Sequence, residues 1–379
     1  MKEFMNEADQ AWAQEVFRKL EAKIEKECGR MGDKIPYIPE NGRYQEDLGE
    51  KDIAWWTNGF WGGLLWQLYH ATGKDLYLQK ARRQEERLDR SLEEYENLYH
   101  DVGFMWMHTA VADYRLTGEH SSFVRGMHVA NLLAGRFNVL GNYIRAWNED
   151  KTGWMIVDCL MNLSLLYWAT EETGDPRFAA IAKRHADTAM AKVLRPDGSC
   201  NHIAILNPET GEVESLPAGQ GYGEGSAWSR GQAWAVYGFA ISYAHTGDKK
   251  YLDAAKSVAH YFISNIAITG FLPLCDFRAP MEPVYYDSTA GACAACGLLE
   301  IAGHVPELEK PLYEQSALKL LMAMEEHFCN WNEEEDGILT MGKVAYHERG
   351  ERQQVPIIYG DYFFTEAILR LLEKDLFIW

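Results

Sequence analysis

The chain has 379 residues, 47% hydrophobic and 25% charged, with a formal net charge of −19. That allows a large core and excludes a nucleic-acid binder, which needs clustered Lys and Arg. No run of 18 apolar residues predicts a membrane span, and the charged stretch from Met1 to Lys26 carries no signal-like apolar run.

Residues 8–27 read as an amphipathic helix with Trp12, Val16, Phe17 and Leu20 on one face, and 32–51 as a loop. An aromatic stretch, 55–63, then leads into a helix ending at Thr72. From there one pattern recurs: a helix ends, a Thr-Gly turn follows and an amphipathic helix begins. It appears at Thr72-Gly73, Thr117-Gly118, Thr173-Gly174 and Thr246-Gly247, and more weakly at Ala302-Gly303-His304. Glycine there reads as the residue closing a helix. The spacing predicts helices over 8–27, 60–72, 76–97, 104–116, 121–137, 156–172, 177–193, 230–245, 249–264, 289–301, 310–328 and 361–374. These make six hairpins, which suggests an all-α (α/α)6 barrel as a single domain, 1–379. The irregular segments 141–153, 196–230, 269–288 and 330–360 should gather at one end and build a cleft, since loops this long are usually functional.

Within 153–163 a lone carboxylate, Asp158, sits in an apolar run where Ile156, Leu160 and Leu163 recur at helical spacing. Burial would raise its pKa, whereas capping the helix would favour the charged form. Asp101 sits in the same way at the start of another inner helix, so both carboxyls should reach one mouth of the barrel, where unlike surroundings can split acid and base roles. The glycine-rich segment 219–234 is not a phosphate loop, because neither a preceding strand nor a Lys-Ser/Thr pair is present. Arg230, beside Trp228 and Trp234, suits either a bidentate grip on a ligand carboxylate or a pairing with a protein acid. His202 is a loop histidine, open to a surface or a ligand role. Many of the 13 Trp and 20 Tyr lie between helices, among them Trp55, Trp56, Trp106, Trp147 and Trp154; such rings suit either core packing or the C–H faces of a sugar. The seven scattered cysteines read as reduced residues of a cytoplasmic protein, and Cys293-Ala-Ala-Cys296 lacks the second pair a metal site needs. No H-E-x-x-H or G-x-S-x-G motif occurs, so neither metal nor serine-nucleophile chemistry is predicted.

Five stretches in order, 56–61, 100–104, 156–163, 228–234 and 359–363, resemble the unsaturated glucuronyl hydrolases, glycoside hydrolase family 88. The resemblance covers nearly the whole chain and implies an (α/α)6 barrel without a cofactor. It implies Asp158 as general acid/base and Asp101 as a second essential carboxyl contacting ring hydroxyls. His202 and Gln220 match residues that place water or substrate, and Arg230 the residue facing the substrate carboxylate. Trp56, Phe60, His100, Trp147 and Trp234 match the lining of the sugar subsite. Some members carry Asp where this chain has Asn58, so no charge role is assigned there. The implied partner is an unsaturated uronic-acid oligosaccharide, with no nucleic acid and no membrane, the chain being a monomer or weak homo-oligomer. The implied chemistry is proton delivery to C4 of a C4=C5 vinyl ether, then water addition at C5. An unsaturated rhamnogalacturonyl hydrolase, a sugar epimerase and a non-catalytic helical scaffold stand as alternatives.

Overall fold

The computed structural model describes residues 4–350 and 353–379. Residues 1–3 of the charged N-terminal stretch, and Glu351 and Arg352 in the segment 330–360, lie outside the described residues. Outer helix α1 (Glu7–Met31) opens the ring. After the one-turn α2 (Leu48–Lys51) come inner α3 (Phe60–Thr72) and outer α4 (Asp75–Glu94). Inner α5 (Val102–Trp106) runs through a π turn (Met107–Val111) into α6 (Ala112–Thr117), followed by outer α7 (His120–Gly135). Inner α8 (Cys159–Asn162) and α9 (Ser164–Thr173) precede outer α10 (Pro176–Lys192). Inner α11 (Ser229–Thr246) and outer α12 (Lys249–Ala267) form the next hairpin, and inner α13 (Ser288–His304) and outer α14 (Lys310–Phe328) the one after. Inner α15 (Ile358–Leu372) packs on both α3 and α1, which closes the toroid. This is the (α/α)6 barrel that the hairpins predict.

The two rings differ as their sequences require. Inner α11 is buried without interruption from Ser229 to Ser242, whereas outer α4 buries only Tyr77, Ala81, Gln84, Glu85, Leu88 and Ser91 along one stripe. Four inner helices end by one device. Gly73, Gly118, Gly174 and Gly247 adopt the left-handed conformation, which costs a glycine little, and each N–H returns to the last turn. The preceding threonine hydroxyl donates to the carbonyl four residues back and accepts the N–H two residues on, as Thr173 does with Ala169 and Asp175. Asp175 and Asp248 then cap the next outer helix. The weaker fifth instance fails: α13 continues through Gly303 and ends at His304, with Val305 extended.

These tight turns all join the C-terminal end of an inner helix to an outer one. The long segments make the return journey, so the N-termini of the inner helices collect at one mouth. Two small antiparallel sheets brace that mouth: β1 (Phe137–Asn138) with β2 (Tyr143–Ile144), and β3 (Trp154–Ile156) with β4 (Ile203–Leu206) and β5 (Val213–Ser215). The helix predicted from residue 156 therefore starts later. Pairing of Ile156 with Ile203 makes that end of the run a strand, and the helix begins at Cys159. The π turn has a local cause: His108 and Thr109 hold the carbonyls of Phe104 and Met105 with their side chains, and the backbone of Ala112 slips to Met107. All seven cysteines are unpaired. Among the described residues, no helix is long and apolar enough to cross a membrane, and no cluster of three His, Cys, Asp or Glu could hold a metal.

Candidate active site

Asp101 and Asp158 occupy the N-cap positions of α5 and α8, yet neither side chain accepts a backbone N–H from its helix. Elsewhere in this chain Asp175, Asp248 and Asp287 at the same position do cap. Asn162, one turn into α8, joins the two residues: its Nδ2 donates to Asp101 Oδ1 at 2.9 Å and to the Asp158 backbone carbonyl at 3.3 Å. Its Oδ1 accepts the Phe104 N–H at 2.8 Å. Helices α5 and α8 come this close because residue 103 is glycine; a Cβ there would lie 2.6 Å from Asn162 Oδ1.

The environments of the pair are unlike. Burial, reinforced by the charge of Asp158, pushes the Asp101 carboxyl well above the usual range, against the pull of the Asn162 hydrogen bond. The His100 ring is 3.3 Å from Asp101 but fully buried, and burial holds it neutral, well below the usual histidine range. On the other side, His202 Nε2 faces Asp158 Oδ2 at 3.3 Å, both atoms buried and without a hydrogen-bond partner. The Gln220 N–H donates to His202 Nδ1 at 3.0 Å. Nδ1 is therefore the acceptor nitrogen, which leaves Nε2 as the one that carries a proton toward Asp158. The carboxyls keep a little exposure, 10% for the Asp101 side chain and 12% for Asp158. They form a polar floor rather than sitting among packed aliphatics.

Two walls rise from this floor. On one, the Arg136 guanidinium uses all five N–H groups on the neighbouring loops. Nε donates to the Arg145 carbonyl, Nη2 to those of Ala146 and Trp147, and Nη1 to Asn148 Oδ1 and the Leu98 carbonyl. This fixes the half-buried Trp147 with its ring 6.3 Å from that of His100. On the other wall, the Val344 carbonyl accepts from Gln220 Nε2 and Arg230 Nη2, both at 2.6 Å. Half-buried Trp56 packs on Tyr359 at 5.0 Å and on Phe104 at 5.5 Å.

Three expected lining residues are placed differently. Arg230 is 1% exposed, and its Nη1 is paired with Asp287 at 2.5 Å and bonded to the Lys343 carbonyl. Burial opposes its charge, but the Asp287 carboxylate outweighs that and holds the guanidinium above its usual range. Of the two readings open in the sequence, the structure takes the ion pair: Arg230 ties α11 to α13 and to the 343–344 backbone. Phe60 and Trp234 are fully buried, Phe60 against Phe104 at 5.4 Å and Trp234 against Phe104 at 5.1 Å. They support the floor from below rather than lining it. Asn58, without a charge role, donates to the carbonyls of Asp52 and Ile53. Sequence reasoning missed Asn162, Arg136 and Asp287. Asn162 alone left a signal, as a buried-type amide one helical turn after Asp158.

No family model matches the chain. It is 34% identical over 352 residues to the unsaturated glucuronyl hydrolase of Bacillus sp. (strain GL1), covering 90% of this chain and 92% of that protein. It is 31% identical to the unsaturated chondroitin disaccharide hydrolase of Streptococcus pneumoniae (strain ATCC BAA-255 / R6), over 86% of this chain and 84% of that one. Among solved structures it matches UGL carrying an Asp-to-Asn substitution with dGlcA-Glc-Rha-Glc, at a TM-score of 0.89 and 32% identity, covering 95% and 96% of the two chains. With similarity of this extent in both sequence and fold, the chain belongs to the unsaturated glucuronyl hydrolase family.

Proposed function

We propose that this chain releases 4,5-unsaturated glucuronate from the non-reducing end of lyase-generated glycosaminoglycan oligosaccharides, with Asp158 as the proton donor. One observation carries the assignment: two N-cap aspartates that do not cap, bridged by Asn162 at the mouth of the barrel. The relatives' names, an unsaturated glucuronyl hydrolase and an unsaturated chondroitin disaccharide hydrolase, support the substrate class.

The chemistry follows from the pair. Burial and the charge of Asp158 hold the Asp101 carboxyl well above the usual carboxylate range, and we assign the proton that is delivered to Asp158. That proton passes from Asp158 to C4 of the C4=C5 vinyl ether. Cation character develops at C5 and O5, and the carboxylate left on Asp158 then takes a proton from the water that adds at C5. The resulting hemiketal opens and expels the aglycone. His202 Nε2 faces Asp158 Oδ2 at 3.3 Å and is placed to steady it during the reaction, and the Gln220 N–H sets which His202 nitrogen accepts. Asp101 holds the ring hydroxyls, with Trp56 and Trp147 shaping the subsite and buried His100 backing Asp101. Arg230, Phe60 and Trp234 act from behind this lining. We also assign the chain to the cytoplasm as a metal-independent monomer or weak homo-oligomer; its unpaired cysteines support a reducing compartment.

The test is loss of the ultraviolet absorbance of the conjugated C4=C5 bond on unsaturated chondroitin or hyaluronan disaccharides. Faster loss on a pectin-derived disaccharide would favour a rhamnogalacturonyl hydrolase instead.

A further inference from the structure

The Trp147 wall includes a second indole. The Trp154 ring lies 5.6 Å from that of Trp147 at 66°, and both indoles are half-buried. They rest on a small apolar cluster of their own, Ala146, Ile156 and Ile203, separate from the main core. The Lys151 ammonium sits 5.3 Å from the centre of the Trp147 ring and 5.5 Å from that of Trp154. The turn carrying it is closed by the Lys151 N–H to the Asn148 carbonyl and the Trp154 N–H to the Lys151 carbonyl. Asn148 is itself held by Arg136.

Lys151 forms no salt bridge among the described residues, although Glu149 and Asp150 precede it and the chain carries 56 acidic side chains. A cation left unpaired in so acidic a chain, and steered by two indoles on a braced turn, is placed for an anion from outside. The rings of His100, Trp147 and Trp154 follow one another at 6.3 and 5.6 Å, and Lys151 sits over the last two.

We propose that Lys151, with Trp154, forms a leaving-group subsite for the second sugar after the unsaturated uronate, and that Lys151 pairs with that sugar's carboxylate. This rests on the hydrolase reading above and extends it from disaccharides to longer chains. In an unsaturated hyaluronan tetrasaccharide the first ring lies over Asp101 and Asp158. The N-acetylhexosamine meets Trp147, and the internal glucuronate reaches Lys151.

The experiment compares kcat/KM for the unsaturated hyaluronan disaccharide and tetrasaccharide in wild type, Lys151→Ala and Lys151→Arg. Wild type should favour the tetrasaccharide. Lys151→Ala should reduce the tetrasaccharide-to-disaccharide ratio about fivefold, the scale of one partly exposed charge pair. Lys151→Arg should restore it, and added salt should erode the ratio in wild type but not in Lys151→Ala. The subsite is overturned by a wild type active on the disaccharide whose ratio is insensitive to Lys151. It is also overturned if Lys151→Ala affects a sulfated disaccharide while sparing the tetrasaccharide, which would place the anion on the nearer sugar. A wild type inactive on both substrates refutes the hydrolase reading itself, and the subsite with it.

Discussion

Replacing Asn162 with alanine removes the one side chain that joins the two carboxyl elements. Three hydrogen bonds disappear: to Asp101 Oδ1, to the Asp158 carbonyl and from the Phe104 N–H. The Phe104 N–H is then buried without a partner, which costs about 1–3 kcal/mol, and the lost bond to Asp101 adds about 1 kcal/mol. Asn162→Ala should therefore lower the unfolding free energy by about 2–4 kcal/mol in urea titrations at constant m. The same change has an electrostatic signature. Donation from Asn162 lowers the Asp101 pKa, so its loss raises that pKa further. The alkaline limb of kcat/KM, to which the raised Asp101 carboxyl contributes, should move to higher pH. A variant within about 0.5 kcal/mol of wild type, with its alkaline limb unmoved, would refute the bridge and the coupling built on it.

Arg230→Ala removes the partner from a buried ion pair with Asp287, so we predict a stability loss of about 3–5 kcal/mol in denaturant titrations, larger than any effect on KM. A stable Arg230→Ala with weakened substrate binding would restore the carboxylate clamp. Arg136→Ala should raise KM more than it lowers kcat, because the loops around Trp147 lose four bonds to backbone carbonyls and one to Asn148 Oδ1 while the carboxyls keep their hydrogen-bond partners; an equal fall in kcat would contradict this. The stability contributed by three buried carboxyls should fall as pH rises from about 4 to 8. Burial raises Glu27 to about 8, Glu85 to about 7 and Asp361 to about 6. The folded state favours the protonated form of each, so their contribution is complete below the unfolded pKa and is lost as pH passes the folded one. Each contributes a slope of up to about 1.4 kcal/mol per pH unit. Glu27→Gln should flatten the curve between pH 5 and about 8; an unchanged slope would argue against that carboxyl.

The helices were legible because amphipathic stripes and Thr-Gly closures are local. Residues three or four apart, or a glycine just past a helix end, reveal themselves without knowledge of a partner. The start of α8 was not, since Trp154–Ile156 becomes a strand only through pairing with Ile203–Leu206, about fifty residues on. The aspartates were legible as candidates, but their capping was settled only by side-chain direction. The roles of Arg230, Phe60 and Trp234 depended on whether cleft or core received their side chains, and an aromatic-rich sequence suits either. Arg136 and Asp287 were invisible because their partners, the 145–148 carbonyls and Arg230, lie on other elements.

The most direct measurement is turnover by Asp158→Asn, followed as loss of C4=C5 absorbance on an unsaturated glycosaminoglycan disaccharide, with circular dichroism to verify the fold. Asparagine keeps the shape of the side chain but has no proton of suitable acidity to give. The account predicts a folded protein whose kcat falls by at least about 10²–10⁴-fold. A folded Asp158→Asn turning over at the wild-type rate would contradict it.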